Sequence, residues 1–240
     1  MPSIQNKIFK VPDDPNIKIW RYMDFTKFVS MLENNGLFFS RADCLGDPFE
    51  GSIPRANERE QSEIAKAWPA DAFEKLESWK AWRRQERQNM FINCWHMNED
   101  ESAAMWKLYT KSEEAICIQS TFTRLHECVD EKVFIGEVRY IDYERDLIYV
   151  TNAFYPFIHK RKFFAHEREV RAVIWQIPDY GELPIEGGIW KQVELSELIE
   201  NVYVAPTSPA WFRDLVEKMV ERYSLNRPVR QSSLDEEPCY

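Results

Sequence analysis

Glu167, Glu169 and Arg171 fall at every second position of the stretch His166-Glu167-Arg168-Glu169-Val170-Arg171-Ala172-Val173-Ile174-Trp175. Side chains alternate across a strand, so these three share one face while Val170, Ala172 and Ile174 share the other. Residues two apart stand about 7 Å from each other. A carboxylate pair with a guanidinium next in line can be a functional row. The plain alternative is an edge strand whose charges face water and discourage aggregation. Val173 and Trp175 continue the charged face as bulky apolar residues, so we read it as a covered face with charges at its mouth, which describes a cleft.

Other groups join this set. Asp47-Pro48-Phe49-Glu50 places two carboxylates three residues apart, although Asp before Pro is also a common turn opener. With Glu167 and Glu169 these acids could supply oxygen ligands for Mg²⁺ in phosphodiester cleavage, with Lys162 steadying a phosphate. Trp106 and Tyr109, three apart on a predicted helix, share a side and serve either as core or as a stacking wall. Cys94 and His96 share a strand face and are read as core residents, since two ligands do not make a metal site. No His-Glu-x-x-His, Gly-x-Ser-x-Gly, Walker or Gly-x-Gly-x-x-Gly pattern occurs.

The elements that must position these residues follow from periodicity. Strands are predicted at Ile17–Tyr22, Leu37–Ser40, Met90–Met97, Ala115–Gln119, Lys132–Tyr140, Glu169–Trp175, Ile189–Val193 and Val202–Ala205. Asp24 is placed to cap a helix carrying Phe25, Phe28, Val29 and Leu32, which Gly36 ends. A helical insertion is expected over about 55–88, two amphipathic helices broken at Pro69 and anchored by Trp68, Phe73, Leu76, Trp79 and Trp82. A further helix runs through Ser102, Met105, Trp106 and Tyr109, and a last one follows Ser208-Pro209. Strands and helices interleave without βαβ spacing, so the expected fold is α+β, a mixed, largely antiparallel sheet with flanking helices. The 240 residues are read as one domain, with a flexible tail over about 232–240.

A net charge of −9 argues against a general nucleic-acid-binding surface. Five scattered cysteines without Cys-x-x-Cys spacing indicate neither a disulfide framework nor a zinc ribbon. The absence of an apolar leader or an 18-residue apolar run leads to the expectation of a cytoplasmic protein without a membrane partner.

Taken together, Trp20-Arg21-Tyr22, Leu37 to Asp43 leading to Asp47-Pro48-Phe49-Glu50, Met105 to Tyr109, and Lys162 with His166 to Arg171 resemble an uncharacterised bacterial and phage family, domain of unknown function 2971. The match runs from about residue 18 to residue 234. It brings no assigned activity and implies that these polar pieces belong to one recurring unit; a bacterial protein of phage-defence or toxin systems is the expected setting. A weaker resemblance is to ADP-ribosyltransferases whose motifs run Arg, Ser-Thr, Glu-x-Glu. Arg21, Ser120-Thr121 and Glu167-Arg168-Glu169 match that order, while Phe122 stands where a second serine would follow. A strand-end Ser-Thr is also a natural helix N-cap.

That resemblance implies NAD as co-substrate and Glu169, Glu167 and Arg21 as the catalytic set. Glu169 would bond a ribose hydroxyl, Glu167 would orient the nucleophile, and Arg21 would hold the pyrophosphate. Arg41, Asp47, Glu50, Trp106, Tyr109, Ser120, Lys162 and Arg171 are the expected substrate contacts, and no metal ligands are assigned. A non-catalytic ligand- or partner-binding module is the alternative to both enzymes.

Overall fold

The computed structural model describes residues 8–66, 71–179, 182–236 and 238–239. Eleven strands are present among them: β1 (Lys18–Asp24), β2 (Gly36–Arg41), β3 (Met90–Met97), β4 (Ala115–Thr121), β5 (Val133–Glu137), β6 (Arg139–Ile141), β7 (His159–Arg161), β8 (Glu169–Trp175), β9 (Gly188–Gln192), β10 (Asn201–Val204) and β11 (Val229–Gln231). Nine form one sheet in which every pairing except β10 with β11 is antiparallel. Helices flank it, which makes the fold α+β.

The sheet divides at β3. One edge of β3 carries β8 along its length, from Met90 opposite Trp175 to His96 opposite Glu169. The other edge is shared: β1 pairs only at Ile19–Trp20, opposite Met97 and His96, and β2 only at Ser40–Arg41, opposite Ile92 and Phe91. From that fork β1 stays with β4 from Lys18 to Asp24, while β2 continues with β9. The diverging strands open a gap over Asn93, Cys94 and Trp95. Asn93 partly bridges it by donating to the Phe38 carbonyl at 2.9 Å.

The alternation read from β8 holds. Val170, Ala172 and Ile174 join the main core with Trp95, Ile116, Ile118, Val202 and Phe212. On the opposite face Val173 is buried with Ile92, Phe154 and Phe157, whereas Trp175 keeps 42% of its surface exposed and donates to Glu86. The predicted strand Lys132–Tyr140 is interrupted at Val138. Its second part, β6, leaves the sheet and pairs in parallel with β7, Tyr140 opposite Lys160.

The helix after β1 spans Phe25–Glu33, but Asp24 makes no side-chain cap and instead accepts from the Lys111 amide. Asn34 and Asn35 end it, and Gly36 opens β2. The insertion forms helices Arg55–Lys66 and Asp71–Asn89. Of its expected anchors, Leu76 is half-buried, and Trp79 and Trp82 are exposed, Trp79 beneath the Arg83 guanidinium. Trp68, Pro69 and the side chain of Phe73 lie outside the described residues. Near the C-terminus Ser232 is buried and Ser233 donates its amide to Glu101. No helix among the described residues is long and apolar enough to cross a membrane.

β9 lies against β2 so closely that a Cβ on Gly188 would meet the Phe39 carbonyl and come within 2.5 Å of the Phe38 ring, whereas one on Gly46 meets nothing within 4 Å. Overpacking of this kind costs about 1–3 kcal/mol. Denaturant unfolding of Gly188→Ala should show that loss, and Gly46→Ala should unfold like the parent. Equal stability of the two variants would contradict the packing.

Candidate functional site

The carboxylate pair is assembled by two different elements. Glu169 is the first residue of β8, but Glu167 ends a 3-10 helix, Lys162–Glu167, so strand alternation does not place it. Arg168 between them adopts the left-handed conformation (φ 41°, ψ 53°), unusual for a residue with a side chain. Its carbonyl accepts from Met97, and its guanidinium donates to Asn98. This turn, not a shared strand face, brings both carboxylates onto one ammonium, that of Lys160 on β7. Lys160 bonds Glu167 Oε2 and lies 3.3 Å from Glu169 Oε1. The β6–β7 ribbon positions it, anchored where the Tyr140 hydroxyl accepts from the Glu169 amide at 2.8 Å.

Behind the pair, Arg171 fills the interior. Its Nε donates to Glu169 Oε2 at 2.6 Å, its two terminal nitrogens fork onto Glu50, and Nη1 also donates to the Phe157 carbonyl. Glu50, Lys160, Glu167, Glu169 and Arg171 are all buried. Three carboxylates against two cations leave one negative charge in excess, and the site distributes it unequally. Burial pushes the Glu169 carboxyl up, but Arg171 and Lys160 together outweigh burial and hold it below its ordinary value. Glu167 is pushed above its ordinary value by burial and by the neighbouring Glu169 charge, against the pull of Lys160. Burial raises Glu50 as well. Two adjacent carboxyls driven apart in this way are a recurrent arrangement for separate acid and base roles.

Glu167 and Glu169 open onto a cleft of about 660 Å³ at the fork of the sheet, within the range of small-molecule sites. Arg21 of β1 lines the same cleft. Among the described residues its only hydrogen bond is a 3.4 Å contact to the Phe38 carbonyl, and no carboxylate pairs with it. Burial lowers its pKa to about 10. An uncompensated guanidinium at the wall of a cleft is suited to an anion brought by a ligand. Tyr109 reaches Glu167 Oε1 with its hydroxyl at 3.2 Å, and Phe38 and Trp190, with ring centroids 5.3 Å apart, add an aromatic wall.

The remaining expected contacts lie elsewhere. Arg41 does not line the cleft; it is bound by Asp43 at 2.7 Å and donates to the Ile185 carbonyl. Lys162 is exposed and paired with Asp142 at 2.7 Å. Ser120 is fully buried and donates to the Leu198 carbonyl, while Thr121 supplies the N-cap of the following helix. Trp106 is core: it packs edge-on against Tyr22 and donates to Glu101. Asp47 closes its own turn by accepting from the Phe49 amide, and it pairs with Arg161. Glu50 serves the site only through Arg171. With Asp47 and Glu50 both held by arginines, the Mg²⁺ scheme loses its donors, and no group of three metal-ligating side chains occurs among the described residues.

Sequence reasoning missed Lys160, Phe38, Trp190 and Lys27 and read His96 as core, yet all but Lys160 line the cleft. The basic run His159-Lys160-Arg161-Lys162 was the one visible signal for Lys160, and spacing alone did not select among its members.

No family model matches the chain, so the resemblance to domain of unknown function 2971 finds no support there, and no curated protein matches either. Among solved structures, DarT of Thermus sp. 2.9 in complex with NAD⁺ is similar over 93% of this chain and 98% of its own, at 10% identity and a TM-score of 0.43. The same protein in complex with ADP-ribosylated ssDNA covers 95% and 97%, at 10% identity and a TM-score of 0.42. Likeness at that level carries no argument about activity.

The two arginines should respond oppositely to removal. Breaking a buried ion pair from one side costs about 3–5 kcal/mol. Arg171→Met should therefore destabilise by that order in denaturant unfolding, whereas Arg21→Met, which strands no carboxylate, should leave stability within about 1 kcal/mol. A larger loss from Arg21→Met than from Arg171→Met would contradict the assignment of one as scaffold and the other as ligand-facing.

Proposed function

We propose that the chain is an NAD-dependent ADP-ribosyltransferase-like enzyme whose cleft holds the dinucleotide. The observation that carries this reading is the placement of a carboxylate held by two cations, Glu169, and a guanidinium without an acidic partner among the described residues, Arg21, in the walls of one cleft. Breaking the bond between nicotinamide and ribose sends the bonding electrons to nicotinamide and leaves oxocarbenium charge on the sugar, which a fixed anion stabilises. Each oxygen of Glu169 gives one acceptor position to Lys160 or Arg171, which leaves a lone pair for a ribose hydroxyl. Arg21 would take the pyrophosphate in a charge-assisted contact. Glu167, steadied by Lys160 and Tyr109, would orient the incoming nucleophile, and Phe38 and Trp190 would take the stacking role first given to Trp106. The setting proposed with it, bacterial phage defence or a toxin system, rests on the sequence resemblance.

The test is to incubate purified protein with labelled NAD and with RNA, DNA or cell lysate. Release of nicotinamide with transfer of label is expected. Glu169→Gln, confirmed as folded by its thermal transition, should lower the rate by about 10²–10³-fold, the usual effect of removing one electrostatic stabiliser. Arg21→Met should raise KM for NAD. Binding of NAD or ADP-ribose without turnover, on any acceptor, would leave a non-catalytic binding module in place of the enzyme.

A further inference from the structure

The buried imidazole of His96 has no part in the reading above, and its surroundings give it one. His96 stands on β3 directly opposite Glu169 on β8, so the two side chains share a face of the sheet, and the ring lines the cleft. Only 6% of the residue is exposed. Opposed residues on antiparallel strands have Cβ atoms about 4.5–5.5 Å apart. His96 Nδ1 lies 2.6 Å from the backbone carbonyl oxygen of Glu167. A carbonyl oxygen only accepts, so Nδ1 carries the hydrogen, and in the neutral ring Nε2 presents a lone pair. No protein group among the described residues donates to Nε2, which leaves an unpartnered acceptor in the wall of the cleft.

The groups around the ring keep it neutral. Burial lowers its pKa first, the Arg168 and His166 charges add to that, and the Glu167 carbonyl opposes them. Across the sheet Glu169 faces it, and the Tyr22 ring lies 6.4 Å away.

We propose that His96 Nε2 is the general base that deprotonates the acceptor during transfer, a role that rests on the transferase reading. The acceptor gives its proton to Nε2 as its lone pair forms a bond to the ribose carbon. The bond from that carbon to nicotinamide breaks, and both its electrons leave with nicotinamide and neutralise the pyridinium charge. The imidazolium, formed opposite the Glu169 carboxylate, returns its proton to water. Such a base serves an acceptor that must lose a proton, a hydroxyl or an N–H group, and is superfluous for a carboxylate.

The test combines kinetics of His96→Gln and His96→Asn with NMR of the parent protein. General-base catalysis contributes about 10²–10⁴-fold. Both variants should lose at least about 10²-fold in kcat with little change in KM for NAD. The acid limb of the parent pH–rate profile combines a His96 step below the ordinary histidine value with a Glu167 step above the ordinary glutamate value, and the variants should lose the His96 step. A merely structural histidine would lower the melting temperature without changing that limb. ¹⁵N spectra of histidine-labelled parent protein should show the neutral Nδ1–H tautomer of His96 near neutral pH, with the Nε2 signal shifted by ADP-ribose; this arm and the parent pH profile decide the matter even if the variants do not fold. An Nε2–H tautomer, or an acid limb unchanged in either variant, would overturn the role of His96 while leaving the transferase reading intact. A parent protein that turns over no NAD with any acceptor would overturn both.

Discussion

The Arg171 guanidinium, buried beneath the sheet, is the constraint from which the site follows. It must be neutralised where no water reaches it, and it is, by Glu50 on one side and Glu169 on the other. That requirement ties the loop after β2 to the first residue of β8 and fixes the Glu169 carboxylate at the head of the strand. Burial works against the charge on Arg171, and the two carboxylates more than reverse it. Lys160 extends the chain by one more cation, and Glu167 closes it. The surplus negative charge therefore comes to rest where the cleft begins and not in the interior.

The sheet supplies the opening. β1 and β2 each claim only one end of the same edge of β3, and the fork between them exposes the middle of that strand to a ligand. Arg21 stands on the diverging strand, without an acidic partner among the described residues, and Glu169 stands on the far neighbour of β3. Charge is compensated on one side of the cleft and left open on the other. A ligand that brings its own anion and a hydroxyl-bearing ring meets both sides at once.

Part of this was legible in the sequence because it depends on short-range periodicity. Alternation over Glu169 to Ile174 gave both faces of β8 correctly, and Arg21 could be placed on a strand from Ile17 to Tyr22. What failed depended on backbone states and long-range pairings that leave no local trace. Arg168 in the left-handed region is not signalled by a glycine or asparagine, so Glu167 was placed on the strand when a turn delivers it. Lys160 was invisible because a parallel ribbon between residues about twenty apart in the chain aims it inward, while Lys162 turns out to Asp142. Arg41 was misread although its partner Asp43 stood two residues on. Trp106 and Tyr109 do lie near one side of a helix, but three residues subtend enough angle to set one in the core and the other at the rim.

The account stands on an unequal division of charge between neighbouring carboxyls, and ¹³C carboxyl NMR of glutamate-labelled protein across pH measures it most directly. Glu169 should remain ionised below the ordinary glutamate range while Glu167 takes up its proton above that range, so that at intermediate pH the two carry a single negative charge. Removing Arg171 by Arg171→Met should bring the Glu169 transition upward. Two carboxyls titrating together at ordinary values, or Glu167 ionising before Glu169, would contradict the arrangement described.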